Sequence, residues 1–167
     1  SKGNYWIGTR NGGLNKFDRE KEKFYKYQYD PLNPSSISDD RIVTICEDLD
    51  GGLWIGTYYG GLNKFDRQSE KFIHYKHSDD NSTSLSDNSV SVIYRDRKGV
   101  LWIGTRFGGL DELDFRNGKF RHHNINSEKS KNVNPNKIIS ILEDSSGILW
   151  IGTQELGLIK LNKETGQ

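Results

Sequence analysis

The sequence predicts an all-β chain of four-stranded modules set side by side, and three observations predict it. The tetrapeptide Trp-Ile-Gly-Thr recurs at residues 6–9, 54–57, 102–105 and 150–153, with the only four tryptophans of the chain 48 residues apart. A fixed period of that length marks a repeat architecture. Between the tryptophans, short β-branched and aromatic runs alternate with turns bearing Asp and Gly, which reads as strands. Finally, nothing has helical periodicity, the hydrophobic fraction is only 32%, and the 18 glycines in 167 residues suit frequent turns.

The second repeat serves as the model. Residues 41–48 (Arg-Ile-Val-Thr-Ile-Cys-Glu-Asp) form strand A, with counterparts at 89–96 and 137–144. The turn at 48–51 opens on Asp and closes on Gly, as do those at 96–99 and 144–147, which is sound hairpin chemistry. Strand B is residues 53–57 and strand C residues 61–66. A charged turn at 67–70 leads to strand D at 71–76, and a polar loop leads to the next strand A.

Four antiparallel strands per repeat, stacked radially, describe a β-propeller blade. Strand A is expected innermost and buried on both faces, with strand D alternating at the rim. Trp54 and its equivalents suit the wedge between blades, since no side chain buries more area. Gly56 lets neighbouring strands or blades approach closely. The chain opens on a strand B and its last strand is a C, which gives 14 strands. We expect residues 1–167 to be a single partial propeller of about 3.5 blades, with repeats at 6–53, 54–101, 102–149 and an incomplete 150–167. The remaining blades would come from the same protein or a second copy of the chain.

Composition narrows the partners. Lys and Arg total 24 against 23 Asp and Glu, with no basic stripe, so nucleic acid is not expected. No run of 18 apolar residues predicts contact with a membrane. Cys46 is the single cysteine and shares its slot with Tyr94 and Leu142, which reads as core and not as a nucleophile. His74, His77, His122 and His123 fall on or beside strand D. His122 and His123 are adjacent, so they point to opposite faces and cannot hold one metal together. The 48–51 turn lacks the oxygens of a calcium loop, so neither metal nor cofactor is expected.

The candidate site comes from geometry. In such a blade the B–C turn and the D–A loop share one face. The A–B turns keep their Asp-x-x-Gly, whereas the B–C turns do not keep their residues: Arg10-Asn11, Tyr58-Tyr59, Arg106-Phe107 and Gln154-Glu155. The D–A loops at 28–40, 76–88 and 124–136 also differ. Variable loops on a rigid face are where binding groups sit. Aromatic faces suit the C–H surfaces of sugars, and guanidinium forks suit hydroxyls or carboxylates. We therefore assign ligand binding to Arg10, Asn11, Tyr58, Tyr59, Arg106 and Phe107, against the plainer reading of ordinary exposed turn residues.

The pattern Ile-Leu-Glu-Asp-x-x-Gly-x-Leu-Trp-Ile-Gly-Thr at 141–153, with Gly-Gly-Leu-Asn-Lys-Phe-Asp at 60–66, resembles the two-component-regulator propeller repeat. The resemblance covers the chain four times over. It implies the periplasmic sensor region of a hybrid two-component regulator of gut Bacteroidetes, recognising oligosaccharides from complex polysaccharides. A membrane helix, histidine kinase and receiver would lie elsewhere in the protein, and the sensor region itself would not be an enzyme. The fourth repeat departs from the pattern, with Gln154-Glu155-Leu156-Gly157 before strand C and Asn162 in place of Asp.

Two other propeller classes compete. Sialidases carry Ser-x-Asp-x-Gly-x-Thr-Trp turns, and Gly51-Gly52-Leu53-Trp54 shares the Gly-to-Trp spacing. The Asp of that pattern is replaced by Leu49, Arg97 and Ser145, and no acid–nucleophile pair stands out. A glycoside-cleaving enzyme is thus the weaker alternative. A protein-interaction scaffold of the WD type would show Gly-His and Trp-Asp, and neither dipeptide occurs.

Overall fold

The computed structural model describes residues 3–123, 125 and 137–165. They form 14 strands in four antiparallel sheets, each sheet using consecutive strands. The first holds β1 (Tyr5–Gly8), β2 (Leu14–Asp18) and β3 (Lys23–Tyr27). The second holds β4 (Ile42–Glu47), β5 (Leu53–Thr57), β6 (Leu62–Asp66) and β7 (Lys71–Tyr75). The third holds β8 (Val90–Arg95), β9 (Leu101–Thr105), β10 (Leu110–Asp114) and β11 (Lys119–His123). The fourth holds β12 (Ile138–Glu143), β13 (Leu149–Thr153) and β14 (Leu158–Leu161). This is the expected all-β arrangement of a partial propeller. Among the described residues no helix is long and apolar enough to cross a membrane. Most of the third D–A loop, at 124–136, lies outside the described residues.

Trp6, Trp54 and Trp102 are wedges. Trp54 of the second sheet is buried among Ile93, Leu101, Ile103 and Leu113 of the third. Trp102 packs in turn on Ile138, Ile141, Leu149 and Ile151 of the fourth. Trp6 meets Phe65 of the second sheet with ring centroids 5.1 Å apart. The core is therefore not inside a sheet but in the seams between sheets. Gly56 sits at one such seam: a Cβ there would stand 2.5 Å from Val90 Cγ1 of the next sheet and 2.6 Å from Thr44 Cγ2. Only hydrogen fits.

The aspartate that opens each A–B turn does more than shape it. Asp48 Oδ2 accepts from Trp54 Nε1 at 2.9 Å while Oδ1 accepts from Gly52 N at 2.6 Å. Asp96 holds Trp102 at 3.2 Å and Asp144 holds Trp150 at 2.7 Å. The indole N–H, a donor that must be satisfied when buried, thus finds a partner six residues upstream. The Trp6 Nε1 is buried without a partner among the described residues.

One expectation is corrected. Strand A is innermost, since Thr44 Oγ1 accepts from Ile93 N at 3.4 Å and Ser91 Oγ donates to Ile138 O at 2.6 Å, joining the A strands of successive sheets. It is not buried on both faces: Val43 and Ile139 are 44% and 55% exposed. The fully buried strand is B, every residue of β5 and β9 being buried. Strand B has a strand on either side and a blade against each face, whereas strand A has an open inner edge. Each strand A also carries a register shift at one place, between Ile42 and Thr44, Val90 and Val92, and Ile138 and Ser140. Such bulges bend a strand, here beside the face that carries the B–C turns. Strand D alternates as expected, with Phe72 buried and Ile73 exposed.

Candidate functional site

The B–C turns are held by a clasp of their own. Thr57 Oγ1 donates to Gly61 O at 2.9 Å and accepts from Gly60 N at 3.0 Å. Gly61 has φ +82, the left-handed region open to glycine. Thr105 makes the same pair of bonds with Gly109 and Gly108. Thr153 does so with Gly157 and Leu156, at 3.0 Å each, so the divergent fourth turn keeps the frame. The residue that opens each strand A docks beside it: Tyr58 N donates to Arg41 O at 3.0 Å, Arg106 N to Ser89 O at 2.9 Å, and Gln154 N to Lys137 O at 3.0 Å. The two tip residues of each turn are thus presented outward on a fixed support.

Three of the six assigned residues meet. The rings of Tyr58 and Tyr59 are edge to face with centroids 4.5 Å apart. The Arg106 guanidinium, from the next blade, lies 4.6 Å over Tyr58. A fourth member was not assigned from sequence. Arg41 lies 4.3 Å over Tyr59 and 5.4 Å over Tyr58. Asp39 fixes Arg41 through Nε at 3.1 Å and Nη2 at 3.3 Å, and its Oδ2 accepts from Tyr59 N at 2.9 Å. The hydrogen bond to Asp39 holds the Arg41 guanidinium above its ordinary value. Arg10 and Asn11 stand exposed on the first turn and Phe107 exposed on the third. No ring contact or ion pair joins these three to the Tyr58 cluster among the described residues. The signal for Arg41 was its place, two residues after the Asp that reaches the neighbouring turn.

The histidines bind loops to the rim. His74 Nε2 lies 2.7 Å from Ser36 O, and His77 Nδ1 2.9 Å from Leu85 O. His122 and His123 do point apart: His122 Nδ1 is 2.6 Å from Asp111 Oδ1, and His123 Nε2 is 2.8 Å from Glu112 Oε2. Asp111 is fully buried, and burial pushes its carboxyl up even though Ser86 and His122 hydrogen-bond to it. Cys46 is half-buried against the Trp54 cluster, and burial pushes its thiol up, as suits a core position.

Two hollows lie on the opposite face, where Arg67 Nε donates to Gly51 O at 2.8 Å and so joins C–D to A–B turns. One, of about 850 Å³, is lined by Leu49, Lys64, Ile73, Tyr75 and Phe115. The other, of about 400 Å³, is lined by Trp6, Lys16, Glu47 and Glu70. Arg67 borders both.

A radial fan of blades whose turns differ only at their tips defines a propeller-type recognition module. More particularly, its repeats belong to the two component regulator propeller family, whose model matches residues 36–59, 84–107 and 132–155. The structure is similar to the extracellular domain of the proposed hybrid two component system BT3049 of B. thetaiotaomicron, with 30% identity and a TM-score of 0.78 over 98% of this chain and 21% of that one. It is similar also to the extracellular domain of the proposed hybrid two component system BT4673 of the same organism, with 27% identity and a TM-score of 0.80 over all of this chain and 23% of that one. A B. thetaiotaomicron protein of unknown function, 14% identical with a TM-score of 0.60 over 93% of this chain and 43% of that one, shares the fold alone. The chain therefore spans about a fifth of the two similar extracellular domains. No curated protein matches it in sequence.

Proposed function

We propose that the chain is part of the ligand-sensing propeller region of a hybrid two-component regulator, lying in the periplasm and recognising an oligosaccharide. Both similar structures are extracellular domains of such systems, which supports the placement and the sensing role. The observation that carries the ligand class is the cluster of Tyr58, Tyr59, Arg41 and Arg106, which spans two blades on the variable face. Aromatic rings give a sugar flat apolar contact and guanidinium forks give it directed donors. The carboxylates nearby are engaged: Asp39 holds Arg41, and Asp87 accepts from Ser89 N at 2.7 Å. On this reading the arrangement binds and does not cleave.

Ligand would act by favouring one of two arrangements of the sensor, which a kinase elsewhere in the protein reads. Further blades of the same protein, or a second copy of the chain, would complete the ring. The test is calorimetric titration of the intact protein with a panel of oligosaccharides, followed by Tyr58→Ala. A ligand whose affinity falls at least about tenfold in the variant supports the reading. If every sugar in the panel fails to bind, or Tyr58→Ala binds as tightly as the parent, the reading is wrong.

A further inference from the structure

The two arginines of the cluster are not equivalent. Arg41 is neutralised by Asp39 through two of its nitrogens. Arg106 makes no ion pair among the described residues, although it is half-buried. Its Nε is sealed from solvent and has no acceptor there. Its backbone is tied to Ser89 O at 2.9 Å, and its guanidinium rests over Tyr58 at 4.6 Å. Asp87 is the acid nearest in sequence to that anchor, and its Oδ1 is occupied by Ser89 N. The Arg106 guanidinium thus meets no ion-pair partner among the described residues, half withdrawn from water on an aromatic ring. A charge there interacts more strongly with an opposite charge than it would in bulk water. Hydrogen bonds between a guanidinium and an oxyanion are about twice as strong as those between neutral groups, and can be forked.

Resting on the oligosaccharide reading above, we infer that the ligand is an acidic sugar whose oxyanion is bound by the guanidinium of Arg106 above Tyr58. A carboxylate and a sulfate ester share this chemistry. The neighbouring Tyr58 and Tyr59 rings then take the sugar face, and Arg41, held by Asp39, serves hydroxyls.

The test uses matched pairs that differ only in charge, titrated into the intact protein. Tetragalacturonate is set against its methyl ester, and sulfated lactose against lactose, with neutral xylan and mannan oligosaccharides alongside. We expect the charged member of one pair to bind at least about tenfold tighter than its neutral partner, the pair itself naming carboxylate or sulfate. Arg106→Gln should abolish the preference, Arg106→Lys should keep part of it, and added salt should weaken it. Unchanged thermal midpoints would show that both variants fold. Equal binding of charged and neutral members, or binding of the neutral sugars alone, overturns the acidic ligand and leaves the oligosaccharide reading standing. A preference that survives in Arg106→Gln overturns the role of Arg106. Binding of none of these sugars overturns both readings.

Discussion

Lys163, just beyond β14, reaches back across a seam to Asp96 of the third sheet, Nζ to Oδ2 at 2.8 Å. The same ammonium donates to Glu143 of its own sheet at 2.6 Å. Asp96 is also the acceptor of Trp102 Nε1, so one buried charge cluster clamps the wedge from above. The corresponding residues one and two periods earlier are Phe115 and Arg67. Phe115 meets Trp54 edge to face at 5.8 Å, and Arg67 lies 5.8 Å over Trp6. Each blade thus caps the tryptophan of the blade before it, with a different chemistry each time.

Removing that ammonium should be costly. Lys163→Met leaves Asp96 and Glu143 buried without their cation, and we expect a loss of about 3 kcal/mol in urea unfolding. Burial works against ionisation of Asp96 and Glu143, yet hydrogen bonds, those from Lys163 among them, outweigh it and hold both carboxyls below their ordinary values. Depressed carboxyls contribute stability above the unfolded value of about 4 and lose it as pH falls through the folded one. The fall in stability between about pH 5 and 2 should therefore be shallower in Lys163→Met than in the parent.

The Asp–Trp bond predicts a cost for losing the indole. Trp54→Phe strands the Oδ2 of Asp48 and shrinks a seam, so it should cost about 2–4 kcal/mol. Denaturant unfolding decides it, a cost below about 1 kcal/mol being the adverse result.

Gly56→Ala should be destabilising by about 1–3 kcal/mol, because its methyl would meet Val90 and Thr44. Adding Val90→Ala opens the space from the facing blade. The double variant should then lose less than the sum of the single losses, by at least about 0.5 kcal/mol.

Asp111 offers a pH test of opposite sign to the Lys163 cluster. Burial holds its carboxyl above the ordinary value, so the folded state keeps the proton more tightly than the unfolded chain. Stability should fall as pH rises from about 4 through the folded value. Residue 63 occupies the same place one blade earlier, and Asn63 Oδ1 accepts from Ser38 N at 3.1 Å as Asp111 Oδ2 does from Ser86 N at 2.9 Å. Asp111→Asn should keep that bond and remove the slope from a plot of unfolding free energy against pH.

What could be read from residues alone followed from the period. Laying copies 48 residues apart beside one another lines up equivalent positions, which is why Tyr58 and Arg106 could be assigned to one face before any coordinates. Strand B was legible because Leu-Trp-Ile-Gly-Thr is apolar throughout and bounded by turns. Burial of strand A was misread because an apolar run looks the same whether it faces a blade or an open axis, and Val43 and Ile139 are exposed. The bulges gave no signal, since residues 43, 91 and 139 are Val, Ser and Ile. Arg41 was passed over because it begins a strand, and Ser89 and Lys137 in its place share no chemistry with it. The Asp–Trp bond was half visible: the aspartate read as a turn former, and only the fold brings its second oxygen to the indole.

The threonine clasp also bears on how such a chain could change its preferences. It closes each B–C loop with bonds that involve neither tip side chain, so a dipeptide can be exchanged without renegotiating the architecture beneath. Four dipeptides on four like mounts make a small alphabet, and two neighbouring letters, Tyr58 and Arg106, touch. New recognition could then arise two codons at a time, while every seam of the fan stays as it was.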